Sequence, residues 1–241
     1  MAMDSHTREQ LERHLSYLKM SGVKYFPKAG LKAAEREPQG LRTTEAQGTA
    51  ATSMAPAAES LDGIRADLGD CLRCSLSGTR KHLLFGEGDP QASLLFVCSS
   101  PDREEDEKGR FFEGEAGQLL AKIIGAIELR PQEVYISGLV KCRPSDGKTL
   151  EKAHIDTCNT FLQRQIKAIK PRVICALGDL AAQALLGTRE PVTSLRGRFH
   201  DLNGIHIMPT FEPASLIEDP SRKRDVWEDM KLVMKLLKER E

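Results

Sequence analysis

The chain has 241 residues, of which 40% are hydrophobic, and this is enough for one substantial core accompanied by a tail. Lys and Arg total 35 and so do Asp and Glu, so the formal net charge is zero and gives no general attraction to nucleic acid or to an acidic membrane surface. The first residues are charged, and no run approaches the roughly 20 apolar residues of a membrane span. We therefore expect a cytoplasmic protein with reduced cysteines and no membrane contact.

The first part of the chain is predicted to be a helical arm followed by a linker. Residues 1–26 contain Leu11, Leu15 and Leu18 at near-helical spacing behind the possible cap Asp4, which indicates a short amphipathic helix that offers a docking surface for a protein partner. Residues 27–56 are rich in Ala, Thr, Gly, Glu and Pro and poor in large apolar side chains, which predicts a disordered linker. We expect the folded domain to cover 57–241.

The rest of the chain alternates short apolar runs with helical patterns. The apolar runs, which we predict to be buried strands, lie at 93–98, 134–137, 173–177 and 205–208. Helical patterns cover 116–127, 151–169, 180–186 and 222–238. This alternation predicts an α/β fold, a three-layer α/β/α sandwich with a mostly parallel central sheet. Ligands of such sheets bind beyond the carboxyl ends of the strands, so we expect the chemistry in the loops after Cys98, Ser137, Leu177 and Met208.

Four cysteines form a pattern typical of a metal site. Cys71 and Cys74 make a CxxC pair in a charged, Gly- and Ser-rich stretch, while Cys142 and Cys158 lie on either side of a later loop. Four thiolates gathered in this way predict a bound metal ion or an iron–sulfur cluster. The alternative is that they pack as small apolar residues, but the stretch around the first pair contains little else that a core would bury.

Several segments, taken in order, resemble the type-4 uracil-DNA glycosylases, repair enzymes that carry an iron–sulfur cluster. The matching segments include CLRCSLSGTR, VYISGLVKCRP, KPRVICALGDLAAQALLG and PTFEPASLI, and the resemblance extends from about Leu61 to the C-terminus. It implies a [4Fe–4S] cluster held by Cys71, Cys74, Cys142 and Cys158. Structural zinc uses the same ligand set and stays as the alternative.

The resemblance also implies a function. Enzymes of this family flip a uracil out of the DNA duplex, because its glycosidic bond is out of reach inside the base stack. By resemblance, Phe112 stacks on the flipped base, although an ordinary core position is the alternative. The nearby Gly114 and Gly117 would allow the backbone to approach a ligand closely.

The pocket motifs depart from the family at three positions. The first pocket loop, which by resemblance binds the substrate, carries Ser99 and Ser100, and Ser99 stands where the family has a Glu that positions water. Gly138 stands where an Asn reads the uracil edge, and Glu212 stands where a His faces the uracil oxygen. Ser99, Ser100, Phe112 and Gly138 are therefore the candidate substrate-binding residues.

The change at Glu212 has a cost that can be estimated. An ionised carboxylate about 4 Å from a departing base anion, at an effective dielectric constant near 20, opposes the reaction by roughly 4 kcal/mol, about a thousandfold in rate. Either burial keeps Glu212 protonated, or the substrate is a different base whose edge presents a donor. In the second case Asp102 and Glu212 are the candidates for water activation, against the alternative that both are surface acids.

Basic and apolar residues supply the candidate DNA contacts. Lys141, Arg196 and the run Arg222–Arg224 are expected to meet phosphates, although exposed basic residues often only face solvent. Leu216 and Ile217 offer an apolar wedge for a vacated base stack.

Two functions fit these observations. The first is a DNA glycosylase of base-excision repair that hydrolyses the N-glycosidic bond of uracil or another deaminated base. The alternative is a catalytically impaired member of the same family that acts as an iron–sulfur DNA- or protein-binding module.

Overall fold

A six-stranded mixed sheet lies at the centre of the computed structural model, which describes residues 59–146 and 148–239. The predicted N-terminal helix and the linker lie outside the described residues. Strands β1 to β6 are Glu87–Gly88, Leu94–Cys98, Tyr135–Gly138, Val173–Leu177, His200–Leu202 and Ile205–Thr210. Their order in the sheet is β1-β3-β2-β4-β6-β5. The four inner strands are parallel, and β1 and β5 pair antiparallel at the two edges.

The four inner strands are the four apolar runs predicted from the sequence. In β2, β3 and β4 nearly every residue is buried, which agrees with strands covered by helices on both faces. The edge strands were missed, because β1 has only two residues and β5 is partly exposed, so neither shows a continuous apolar run.

Helices cover both faces of the sheet. In the described part of the chain, helices α1 to α8 are Leu61–Leu68, Arg103–Lys108, Gly114–Ala126, Lys152–Ile169, Gly178–Leu186, Val192–Leu195, Pro213–Glu218 and Lys223–Lys238. None of these described helices combines the length and apolarity needed to cross a membrane.

Two apolar cores lie on opposite faces of the sheet. Phe96 of β2 belongs to a core that includes residues of α3 and α8, whereas its neighbour Leu95 belongs to a core that includes residues of α4 and α5. Successive side chains of a strand point to opposite faces, so one strand serves both cores. The predicted three-layer α/β/α sandwich with a mostly parallel sheet is confirmed.

A buried carboxylate attaches α8 to the sheet. Asp229 is 0% exposed, and its carboxylate accepts hydrogen bonds from Thr210 Oγ1 at 2.6 Å and Arg196 Nε at 3.0 Å. Arg196 therefore holds the fold together, and the prediction that it meets a phosphate is wrong, because its guanidinium is already bound to an acid. Removing one partner of a buried ion pair leaves the other charge uncompensated.

We predict that Asp229→Ala lowers the free energy of unfolding by about 3–5 kcal/mol, because Arg196 and Thr210 lose their shared acceptor. The measurement is urea unfolding at neutral pH. Lys238→Ala is the control, since it removes only an exposed pair with Glu128 and should cost less than about 1 kcal/mol. Similar losses in the two variants would contradict the structural role of Asp229.

Candidate active site

A pocket opens at the carboxyl ends of the parallel strands, where the topology predicts a ligand site. Its walls come from the loop 98–102 after β2, from α2 and α3, from the end of β4 and from the start of α7. The lining residues on which the chemistry depends are Ser99, Ser100, Asp102, Glu105, Leu177 and Glu212. Four of the predicted site residues, Ser99, Ser100, Asp102 and Glu212, thus lie together.

Gly138, another of the predicted site residues, is the last residue of β3 and pairs with Cys98 at the start of the pocket loop. Beyond the end of β3, Leu139 N donates to Cys98 O at 2.8 Å and Val140 N donates to Ser99 O at 3.2 Å. A Cβ on Gly138 would lie 2.4 Å from the carbonyl oxygen of Val140. The backbone here leaves no room for a side chain. This explains why a glycine stands where the family has an Asn.

Phe112 lies at the edge of the site in an unusual backbone conformation. Its φ is 65°, and its backbone N–H donates to Glu105 Oε1 at 3.2 Å. A Cβ on Gly117 would lie 2.4 Å from the carbonyl carbon of Phe112, so Gly117 permits this close approach. The Phe112 side chain lines a neighbouring cleft with Glu87 and Arg110. Its stacking on a base stays a prediction.

Two acids of the pocket are joined in a capping box at the start of α2. Asp102 Oδ1 accepts from Glu105 N at 2.8 Å, and Glu105 Oε2 accepts from Asp102 N at 3.1 Å. Burial raises the pKa of both carboxyl groups, that of Glu105 to about 7, and the nearby Asp102 adds to the latter shift. Glu105 was not among the residues predicted from the sequence, although the Asp-x-x-Glu spacing of a capping box marks it.

Glu212 is the third acid of the pocket, and its carboxyl group has no hydrogen-bond partner within residues 59–146 and 148–239. It is the N-cap residue of α7, yet its side chain makes no capping bond. Burial raises its pKa, and the charges of Asp179 and Glu218 add to the shift. The carboxyl group therefore favours its neutral form more than an exposed glutamate does.

The start of α5 acts in the opposite direction on Glu212, but weakly. Oε2 of Glu212 lies 3.2 Å from where a Cβ of Gly178, the first residue of α5, would be. A helix N-terminus favours an anion by about 0.3–1 kcal/mol. No backbone N–H in the described part of α5 donates to this carboxyl group, so burial is the larger effect.

The four predicted ligand cysteines line one small cavity on the other side of β3. Cys71, Cys74, Cys142 and Cys158 share it with apolar residues of α1 and α4. Two guanidinium groups approach the sulfur atoms, with Arg73 Nη1 3.4 Å from Cys71 Sγ and Arg80 Nη1 3.3 Å from Cys142 Sγ. Among the described residues, no group of three or more His, Cys, Asp or Glu side chains is arranged to hold a metal ion.

Lys141 is a buried residue of the wall of the thiol cavity. It is 1% exposed and lines the cavity, and its Nζ donates to Ser137 Oγ at 2.6 Å, Gly138 O at 2.9 Å and Gln165 Oε1 at 2.6 Å. No carboxylate of the described residues pairs with it. The prediction that Lys141 meets a DNA phosphate is wrong, because the side chain is buried and its ammonium group is bonded to internal acceptors.

The predicted apolar wedge is only partly correct. Leu216 is 1% exposed and belongs to the core beside α3, so it does not reach a base stack. Ile217 is partly exposed and stays a candidate.

Comparison with known proteins agrees with the fold and identifies the family of the chain. The family model described as Uracil DNA glycosylase superfamily matches residues 85–231. A type-4 uracil-DNA glycosylase of Archaeoglobus fulgidus is 31% identical over 186 residues, which cover 74% of this chain and 94% of that relative. The type-4 enzyme of Thermotoga maritima is 36% identical over 172 residues, covering 70% and 90%. A type-5 uracil-DNA glycosylase of Pyrobaculum aerophilum is 28% identical over 147 residues, covering 54% and 64%.

The fold and the pocket thus define a hydrolytic glycosylase with an α/β/α architecture. The chain belongs to the uracil DNA glycosylase superfamily.

We predict that Gly138→Ala and Gly138→Asn each lower the free energy of unfolding by about 1–3 kcal/mol, because any Cβ meets the carbonyl of Val140. Restoring the family's Asn should consequently fail to raise uracil excision. Thermal or urea unfolding checks the stability of both variants. Gly63→Ala is the matched control, since a Cβ there meets only ordinary contacts on an exposed helix and should be stabilising. A stable Gly138→Asn protein would contradict this geometry.

Proposed function

We propose that this protein is a DNA glycosylase that hydrolyses the N-glycosidic bond of uracil or another deaminated base and leaves an abasic site. The observation that carries this proposal is the pocket at the carboxyl ends of β2 and β4, which combines an apolar wall with convergent polar groups. The relatives named as uracil-DNA glycosylases support the same reaction.

The pocket suits a flipped base. Leu120, Ile136 and Leu177 supply apolar surface, whereas Ser99 and Ser100 supply hydroxyl groups that donate or accept hydrogen bonds. A base extruded from DNA needs both, a surface for its ring faces and polar groups for its edge. The site offers these groups without the amide side chain that the family resemblance would place at Gly138.

Asp102 remains the candidate for water activation in this proposal. It lines the pocket, and only Oδ1 of its carboxyl group is used in the helix cap. A carboxylate can accept several hydrogen bonds, so Oδ2 can orient a water molecule towards the sugar.

The non-catalytic alternative is not favoured. A binding module derived from an enzyme has no need for a pocket at the strand ends, and this pocket is retained with three carboxyl groups in its wall. The relatives that cover most of the folded part are named as enzymes.

The proposal includes a [4Fe–4S] cluster held by Cys71, Cys74, Cys142 and Cys158. The donor set fits, because four thiols line one cavity and two guanidinium groups point at their sulfur atoms. When bound, the cluster supplies covalent cross-links between the loop after α1, the loop after β3 and α4. Structural zinc uses the same four-thiolate ligand set and stays as the alternative.

The buried Lys141 gives independent support to a negatively charged centre in this cavity. A buried ammonium group is costly unless an anion compensates it, and its hydrogen-bond partners are all neutral. Thiolates bound to metal in the cavity that Lys141 lines would supply the missing negative charge.

We predict that the purified protein excises uracil, hypoxanthine or another deaminated base from single-stranded oligonucleotides, detected as strand breaks after alkaline treatment. Ala214→Trp is the matched control, because Ala214 is an exposed residue of the pocket rim and a large ring there blocks entry without overfilling the core. Excision should disappear in this variant while its unfolding temperature is retained. No breakage with any base, or equal breakage by the blocked variant, would contradict the proposed activity.

We also predict that anaerobically purified protein contains about four iron atoms per chain and has broad visible absorbance. Cys71→Ser and Cys158→Ser should each lower the iron content, measured by elemental analysis. Cys175→Ala is the control, because this buried cysteine of β4 lies outside the cavity and its loss should leave the iron in place. Stoichiometric zinc in place of iron would overturn the cluster assignment.

A further inference from the structure

We infer that Glu212 acts as a neutral carboxylic acid that donates a hydrogen bond to an oxygen atom of the departing base, and that this donation confines excision to lower pH. This inference rests on the proposed function and assigns one residue of the same pocket. It also restricts the substrates to bases that present a carbonyl oxygen at this position.

Glu212 is the acid of the pocket whose carboxyl group is wholly available to a ligand. Glu105 uses both of its oxygens to accept from the backbone N–H groups of Asp102 and Phe112, whereas Asp102 uses only Oδ1 in the capping box. The carboxyl group of Glu212 lines the pocket and has no hydrogen-bond partner in the part of the chain that the structure describes. A base that enters the pocket therefore meets an unsatisfied carboxyl group.

Burial and the neighbouring acids disfavour the charged form of Glu212, and they outweigh the weak opposite effect of the α5 N-terminus. The titratable groups that face it are Asp179 on α5, Glu218 on α7, Cys98 on β2, and Asp102 and Glu105 across the pocket. The described residues that line the pocket include no Lys, Arg or His. Burial and the neighbouring acids raise the pKa of Glu212, and burial likewise raises that of Cys98, so this thiol stays neutral.

The protonation state of Glu212 decides whether this residue helps or hinders the reaction. The bond between C1′ and the base nitrogen breaks, and its electron pair leaves with the base. Water then adds its hydroxyl group to C1′, and the remaining proton of the water neutralises the base. As negative charge develops on the base oxygen, an O–H donor stabilises it, whereas a carboxylate repels it. A protonated carboxylic acid in an apolar site is an established kind of donor to such an oxygen.

The hydrogen-bonding groups of a neutral Glu212 also limit the class of base that it can bind. A neutral carboxylic acid has a donor and an acceptor side by side, so it matches the adjacent carbonyl and N–H groups of uracil or hypoxanthine. Cytosine and adenine present an amino group beside a bare ring nitrogen, which the same carboxylic acid could also pair with, but adenine has no carbonyl oxygen on which the developing negative charge could meet the donor. We therefore expect uracil and hypoxanthine to be excised in preference to adenine.

The test compares pH profiles of single-turnover excision from a uracil oligonucleotide. The wild-type rate should fall about tenfold per pH unit once Glu212 ionises. Glu212→Gln keeps a donor and an acceptor but cannot ionise, so the ratio of its rate to the wild-type rate should rise about tenfold per pH unit over that range. Glu212→Ala removes the donor and should lower the rate about 100-fold at low pH.

Glu218→Gln is the matched control, because it makes the same chemical change on an exposed position of the same helix. Its profile should keep the falling limb, displaced slightly to lower pH because the folded pKa of Glu212 loses one acidic neighbour. Parallel profiles of the wild type and Glu212→Gln would overturn the inference even if uracil is excised.

An infrared difference spectrum separates failure of the inference from failure of the proposed function, since it needs no turnover. In a pH titration, the wild type minus Glu212→Gln difference should keep the C=O stretch of a protonated carboxylic acid to higher pH than an exposed glutamate does. A carboxylate band that appears at the pH typical of an exposed glutamate would overturn the inference by itself. A protonated Glu212 in a protein that excises no base would instead show that the glycosylase assignment is wrong and that the donor role falls with it.

Discussion

Parallel pairing of β2 with β3 and β4 is the constraint on which the rest of the structure depends. It places the ends of three strands at one edge of the sheet, and it continues into the loops, where Leu139 and Val140 bond to the carbonyls of Cys98 and Ser99. Backbone hydrogen bonds thus hold Cys98 and Ser99 at the start of the pocket loop, whatever side chains line it. This arrangement tolerates changes of pocket side chains without loss of the pocket.

The same pairing explains how the altered motif positions are related. The close approach of Val140 to Gly138 excludes the Asn of the family pattern, and the pocket then depends on groups elsewhere for recognition. Glu212 lies opposite, without a partner in the described residues and among other acids. A neutral carboxylic acid at this position can donate a hydrogen bond, as a neutral amide or a histidine can. The three departures from the family pattern therefore belong to one pocket with a different set of donors.

The sequence predicted the inner strands and the long helices because their signals are local. Runs such as LLFVC and VICAL are buried on both faces, so every residue carries the apolar signal. The edge strands β1 and β5 depend on pairing with distant strands, which no local pattern contains. The pocket position also followed from topology, since the carboxyl ends of parallel strands must meet at one edge.

The side-chain environments were harder to predict. Lys141 and Arg196 look like phosphate contacts in the sequence, but the fold buries the first among neutral acceptors and pairs the second with Asp229. Leu216 similarly belongs to the core, although its neighbours suggested a wedge. Such outcomes depend on which residues from other elements surround a side chain. The cavity shared by the four cysteines also follows from tertiary structure, although the CxxC spacing indicated that these residues act together.

The central claim is that a base of DNA enters the pocket between the loop 98–102 and Glu212. The most direct measurement is a crystal structure of the protein with a single-stranded oligonucleotide carrying 2′-fluoro-2′-deoxyuridine, whose glycosidic bond resists cleavage. The account predicts that the uracil lies in this pocket with one of its oxygen atoms within hydrogen-bond distance of the Glu212 carboxyl group. A uracil bound elsewhere, for instance in the cleft beside Arg110, would contradict it.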